Sequence, residues 1–139
     1  MTEDNAAVVR ELIGKWNEGD VEALLERATE DFEWHPALVG SVEGEAFRGH
    51  DGFRRFFEDW EKTWEKWDLE VQELRPVGNQ VVALTRVNAK GLGSGLELNQ
   101  PIAQLFELRD GLVCRGETFL DQNEAIAAAE QRAEKANQR

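Results

Sequence analysis

The sequence predicts an α+β fold in which helices come first and a meander of strands follows. Three observations carry this. Apolar residues in the first half recur at helical spacing. Residues in the second half alternate between turns that contain glycine or proline. The 139 residues, 41% hydrophobic and 32% charged, describe one globular domain rather than a disordered chain. A domain of that length buries roughly two-thirds of its unfolded surface, enough for a real core.

Residues 3–18 read as a helix, with Ala7, Val8, Leu12 and Trp16 at near-helical spacing and Val9 and Ile13 beside them. Gly19 ends it, and Asp20 caps a short second helix carrying Val21, Leu24 and Leu25. Phe32-Glu-Trp-His35 alternates like a strand until Pro36 stops it. Residues 36–50 have no clear period and contain Gly40, Gly44 and Gly49, which marks a loop over one end of the domain. Asp51 then caps a long helix to about Trp67, whose stripe is Phe53, Phe56, Phe57, Trp60, Trp64 and Trp67. Strands follow at about Leu69 to Leu74, Gln80 to Lys90, Leu96 to Leu108 and Leu112 to Leu120. The turns between them are Pro76-Val-Gly-Asn79, Gly91-Leu-Gly-Ser-Gly95 and Arg109-Asp-Gly111. Pro101 marks an edge position or a bulge. The tail from Gln122 is alanine-rich, charged and helical. With no internal repeat and no linker, residues 1–139 read as a single domain: a curved, mainly antiparallel sheet wrapped against helices.

Composition narrows the function classes. A net charge of −12 repels phosphate backbones and anionic headgroups, so neither nucleic acid nor a membrane surface is an expected partner. The single cysteine, Cys114, excludes an intramolecular disulfide, suits a reducing compartment and reads as a small buried hydrophobe. The N-terminus lacks the regions of a signal peptide, and no apolar run approaches the ~20 residues that span a bilayer. A cytoplasmic protein is the expectation. Two histidines and one cysteine without ligand spacing give no metal site, and Gly91 to Gly95 lacks the helix that a phosphate-binding loop requires. No cofactor is expected.

Strand alternation sorts the polar candidates. Val82, Leu84, Arg86 and Asn88 share one face of their strand. Val81, Ala83, Thr85, Val87 and Ala89 share the other, which looks too apolar for bare solvent and points to a homodimer. On the next strand Gln104 interrupts the row Leu98, Gln100, Ile102, Phe106 and Leu108, and a buried amide needs partners in backbone, water or ligand. On the last, Val113, Arg115, Glu117, Phe119 and Asp121 share a face that is solvated, salt-bridged or convergent in a pocket. Asp121 has two readings: a carboxylate at a cavity mouth, or a helix cap, since Asp121-x-x-Glu124 nearly matches a capping box. Trp16, Trp60 and Trp64 belong either to the core or to a wall that stacks against a flat or alicyclic ligand. His35, beside Pro36, either relays a proton or packs at a rim, and His50 reads as structural.

Asn17-Glu-Gly-Asp20, Asp31-Phe-Glu-Trp-His-Pro36, Phe47-Arg-Gly-His-Asp-Gly-Phe53, Arg109-Asp-Gly111 and Glu117-Thr-Phe-Leu-Asp121 occur in that order. Together they resemble the SnoaL-like branch of the nuclear-transport-factor-two-like superfamily, over nearly the whole chain. The resemblance implies a cone-shaped α+β barrel around a deep apolar pocket, often dimeric through the outer sheet face. Relatives include polyketide cyclases, ketosteroid isomerases, limonene-type epoxide hydrolases, dehydratases and non-catalytic binding domains, so function rests on the site.

Asp121 matches the position of the general acid/base aspartate of SnoaL-like cyclases. An apolar pocket raises a carboxylate's pKa, whereas a helix N-terminus opposes that rise. Arg86-Val-Asn88 with Asp121 loosely resembles the epoxide hydrolase pattern, but Asn88 stands where an aspartate is needed, and an amide cannot take a water's proton. The chain has no tyrosine for an isomerase oxyanion hole, which leaves Trp16, His35 or a protonated carboxylic acid as donor. Two functions follow. One is cofactor-free isomerisation, cyclisation or dehydration of a hydrophobic carbonyl compound, with Asp121 as acid or base and His35, Gln104 or Arg86 polarising oxygen. Its binding wall would be Trp16, Trp60, Trp64, Asn88, Gln104, Glu117 and Phe119. The other is a non-catalytic ligand-binding or dimeric scaffold domain.

Overall fold

Helix α1 (Asn5–Glu18) begins where the Asp4 side chain accepts the Ala6 N–H at 3.1 Å. It ends because Gly19, at φ 75°, takes the left-handed conformation that frees Asp20 N–H to reach Lys15 O. Asp20 then caps α2 (Val21–Leu25) through the Ala23 N–H. This computed structural model describes residues 4–36 and 46–137. The strand β1 (Ala28–His35), the short β2 (Phe47–Arg48) and helix α3 (Gly49–Thr63) follow. Strands β3 (Trp64–Val77), β4 (Gln80–Gly91), β5 (Glu97–Arg109) and β6 (Leu112–Phe119) and helix α4 (Gln122–Asn137) complete the chain. Residue 3 of the first expected helix, and most of the loop expected over 36–50, lie outside the described residues.

Six strands form one sheet in the order β2-β1-β6-β5-β4-β3. Every pairing is antiparallel except β1 with β6. The sheet is curved and unclosed, as the α+β reading anticipates. Its inner face holds α1, α2 and α3. Val8, Val9, Leu12 and Ile13 of α1 pack there against Val81, Ala83, Phe106, Leu108 and Val113. The outer face carries α4, where Ala125 and Ala129 bury completely against Val82, Ala103 and Leu105. Pro101 sits beyond the last β5–β6 pair, Ala103 with Phe119, where β5 has one free side and a missing N–H costs no ladder bond.

Corrections fall on three parts of the chain. The long helix stops at Thr63, and Trp64 and Trp67 lie on β3. A bulge between Trp64 and Lys66 inserts one residue, so positions three apart share a strand face and imitate a helical stripe. Asp51 lies inside the first turn of α3 and pairs with Arg54 at 2.6 Å instead of capping.

The second correction concerns β4. Val81, Ala83, Thr85, Val87 and Ala89 are its buried inner row, so the observation that pointed to a homodimer is met within the chain. Arg86 and Asn88 are on the outer face with Val82 and Leu84. Alternation states which residues share a face. It does not state which face looks inward.

The third is on β6. A register shift between Glu107 and Leu108 puts Val113 in the inner core while Arg115, Glu117 and Phe119 face outward. Cys114, at that irregularity, is only half-buried and donates to Glu107 O at 3.4 Å.

Candidate functional site

The inner face encloses an apolar cavity with a free volume of about 50 Å³. Helix α1 presents Trp16, β1 presents Trp34, and α3 presents Phe53, Phe56 and Trp60. The sheet closes it with Val87, Ile102, Gln104, Phe106 and Thr118. The rings pack in the offset and edge-on geometries that aromatic quadrupoles favour. Trp16 stacks on Phe56 at 6.2 Å and 23°, meets Trp60 at 5.2 Å, and Trp34 meets Phe56 edge-on at 5.8 Å.

Two local devices seat these rings. The C-terminal end of α1 is tied to the edge strand β3. Asn17 Nδ2 donates to Leu69 O (3.0 Å), Leu69 N–H donates to Asn17 Oδ1 (2.8 Å), and Trp67 Nε1 donates to Trp16 O (3.0 Å). Asn17 thereby fills the place of a neighbouring strand and fixes Trp16 over the cavity. On the other wall Trp34 lies against Gly116. A Cβ there would stand 3.0 Å from the Trp34 ring and 3.2 Å from Phe106, so a side chain would push the indole off β6.

The polar groups are few. Gln104 is 2% exposed, and its Oε1 accepts the Thr85 hydroxyl at 3.0 Å. Thr118 stands opposite it on β6. The indole N–H groups of Trp34 and Trp60 are buried without a hydrogen-bond partner among the described residues. Asp68 touches the rim but is exposed. Among the described residues no histidine, lysine or arginine lines the cavity. No group of histidine, cysteine, aspartate and glutamate side chains among them is arranged to hold a metal ion.

Trp16, Trp60 and Gln104 therefore stand in the cavity wall. Trp64 is buried behind it, 5.5 Å from Trp60. The remaining candidates are elsewhere. Asp121 is exposed at the outer end of β6, and its Oδ1 accepts the N–H groups of Asn123 (2.8 Å) and Glu124 (3.3 Å). It is the cap of α4. Glu117 Oε1 accepts from Arg115 and Arg132, each at 3.1 Å, on the outer face. Phe119 packs against the α4 cluster. Arg86 lies outside the cavity, and Asn88 lines a broad polar surface groove with Asn17, Lys66 and Asn99. His35 ends β1 with Nε2 3.2 Å from Glu33 Oε1, and its neighbours Trp34 and Pro36 line the cavity in its place. His50 holds Ala28 O at 3.3 Å, a structural contact.

Sequence reading missed Trp34, Phe56 and Thr85 as a group. The usable signal was the row shared by Phe32 and Trp34, together with Thr85 on the face that proved to be inner. Away from the cavity, burial and the Glu107 carboxylate push the Cys114 thiol up to about 11, so it stays protonated and unreactive near neutral pH.

A family model for the SnoaL-like domain matches residues 9–116. No curated protein matches the chain in sequence. Several solved structures share the fold. One is an NTF2-like protein of unknown function from Burkholderia pseudomallei K96243, 19% identical, with a TM-score of 0.76 over 90% of this chain and 97% of that one. TerC, co-crystallised with polyporic acid, is 20% identical, with a TM-score of 0.75 over 91% and 98%. A candidate SnoaL-like polyketide cyclase from Jannaschia sp. CCS1 is 21% identical, with a TM-score of 0.73 over 91% of both chains. Identities this low speak for the fold alone.

Proposed function

The chain belongs to the SnoaL-like domain family, and on that premise we propose that it binds a small, flat, hydrophobic molecule in its aromatic cavity without carrying out chemistry on it. The carrying observation is the composition of the wall. Eight aromatic side chains and a buried amide surround the space, and among the described residues no acid or base lines it beyond the exposed Asp68 at the rim. General acid/base work needs a titratable group within hydrogen-bond reach of the substrate. The carboxylate assigned that work by family position, Asp121, is engaged with the amides of α4. TerC, of the same fold, takes polyporic acid in its crystals, which supports a ligand-binding use of such a cone.

The free space is far below the roughly 300 Å³ of an ordinary ligand pocket. A guest larger than a few waters therefore displaces a ring, and Phe56 is one of the half-buried rings of the wall. Titration of flat mono- and bicyclic aromatics against tryptophan fluorescence should give saturable quenching, weakened in Trp60→Ala. A flat response across such a panel, with no thermal shift, overturns the proposal. Catalysed hydrogen–deuterium exchange next to the carbonyl of 1-indanone, lost in Asp121→Asn, would overturn its non-catalytic part.

A further inference from the structure

We infer that the cavity is dry and admits only apolar surface: its ligand buries arene or alkyl carbon there, and any hydroxyl, carbonyl or amine it carries stays outside. This rests on the cavity being the ligand site and narrows the class of ligand. The free space of about 50 Å³ is large enough for water by size alone, since roughly 10–15 Å³ suffices for one molecule. Chemistry decides against water. A buried water needs about two to four polar partners, and nearly all of the surface that faces this space is carbon.

The polar groups beside the cavity are spent or sealed. The Thr85 hydroxyl reaches both the Gln104 amide (3.0 Å) and Ile102 O (3.4 Å), and this pairing holds whichever way round the amide sits. The Trp67 N–H goes to Trp16 O. The indole nitrogens of Trp34 and Trp60 have no partner among the described residues, but they also have almost no accessible surface, so packed atoms rather than free space surround them. Asp68 is exposed and keeps its carboxylate in water. What faces the space is ring carbon and the aliphatic carbon of residues such as Leu12, Val87 and Ile102. Atoms beside a gap lack dispersion contacts that an apolar guest restores. A hydroxyl or carbonyl brought into it sheds its water and finds no replacement.

Toluene and phenol test this, because they match in shape and differ by one methyl against one hydroxyl. Read by tryptophan quenching and thermal shift, wild-type protein should bind toluene about tenfold more tightly than phenol, or better, the penalty of one unmet hydroxyl. Val87 is 2% exposed and lines the wall, and Val87→Thr exchanges a methyl for a hydroxyl at nearly constant volume. That variant should narrow the ratio toward unity. Equal binding of the two probes to the wild type, or tighter binding of phenol, overturns this inference and leaves the cavity reading intact. Xenon, a single apolar atom, gives a second measurement on wild-type protein alone. Under pressure it should shift the methyl NMR signals of Val87 and Ile102 saturably. Xenon shifts with neither arene bound would uphold the dry cavity and overturn the flat-guest reading. No xenon shift, or a water cross-peak to those methyl groups, overturns the inference whether or not Val87→Thr folds.

Discussion

The inner and outer faces of this sheet are built from the same strands, residue by alternate residue, yet differ in nearly every physical respect. Along β4 the inner row is Val81, Ala83, Thr85, Val87 and Ala89, all buried. The outer row runs from Val82 and Leu84, under α4, to the partly exposed Arg86 and Asn88. The inner face meets large rings from α1 and α3. The outer face meets alanines from α4 and otherwise water and ion pairs. The contrast separates two kinds of polar residue. Gln104 and Thr85 are held by each other inside, whereas Glu117, Arg115, Arg132 and Asp121 satisfy one another, or the backbone, outside. Most of the residues suited to chemistry by type alone stand on the face away from the aromatic cavity.

Mutations on the two faces should sort by size. Phe32→Ala removes a 1% exposed ring from the inner core and should cost about 3–5 kcal/mol in denaturant unfolding. A loss under about 1 kcal/mol would mean that the inner face is loosely packed, and the contrast would break. On the outer face Ala129 is fully buried where α4 crosses the sheet, and Ala129→Leu should cost about 1–3 kcal/mol through overpacking. A stabilised variant there would show slack beneath α4.

Asp121→Ala should cost about 1 kcal/mol by uncapping α4, while Asp121→Asn, an equally good cap, should be near neutral. Thermal melts of the two variants check this, and equal large losses in both would point to a role for the charge itself. The smallest effect concerns Cys114. Its thiol titrates near 11 in the folded chain, above the ordinary thiol range of about 8.5. Between those values the unfolded chain gives up its proton first, so stability should fall as pH rises through that window. Alkylation by iodoacetamide at pH 8 should be slower than for a free thiol. A rate equal to that of a model thiol would remove the burial argument.

Several elements were legible in the sequence because their signals are local. Asp4 falls inside the span expected for the first helix and instead caps it one residue before its start, whereas Gly19 and Asp20 act where their residue types place them, as a left-handed stop and a cap. The hairpin turns and the strand order along the chain follow from glycine positions and period-two patterns. Gln104 was identifiable as a buried amide because it breaks an otherwise apolar row. The two signals of Asp121 were also visible, and the capping reading matches its contacts with the amides of Asn123 and Glu124.

What the sequence by itself determined is the set of residues that move together: which share a helix stripe, which share a strand face, and where turns fall. These depend on the backbone's period and on single-residue conformational preferences. Tertiary structure alone decided which face of β4 turns inward, because both rows are apolar enough at one end and only the arrival of α1 on one side and α4 on the other distinguishes them. It decided that Trp64 and Trp67 belong to a strand, since a one-residue bulge reproduces helical spacing. It also decided the fate of Asp121. A carboxylate beside open amides at a helix start is captured by them, and only the placement of α4 on the outer face put those amides there.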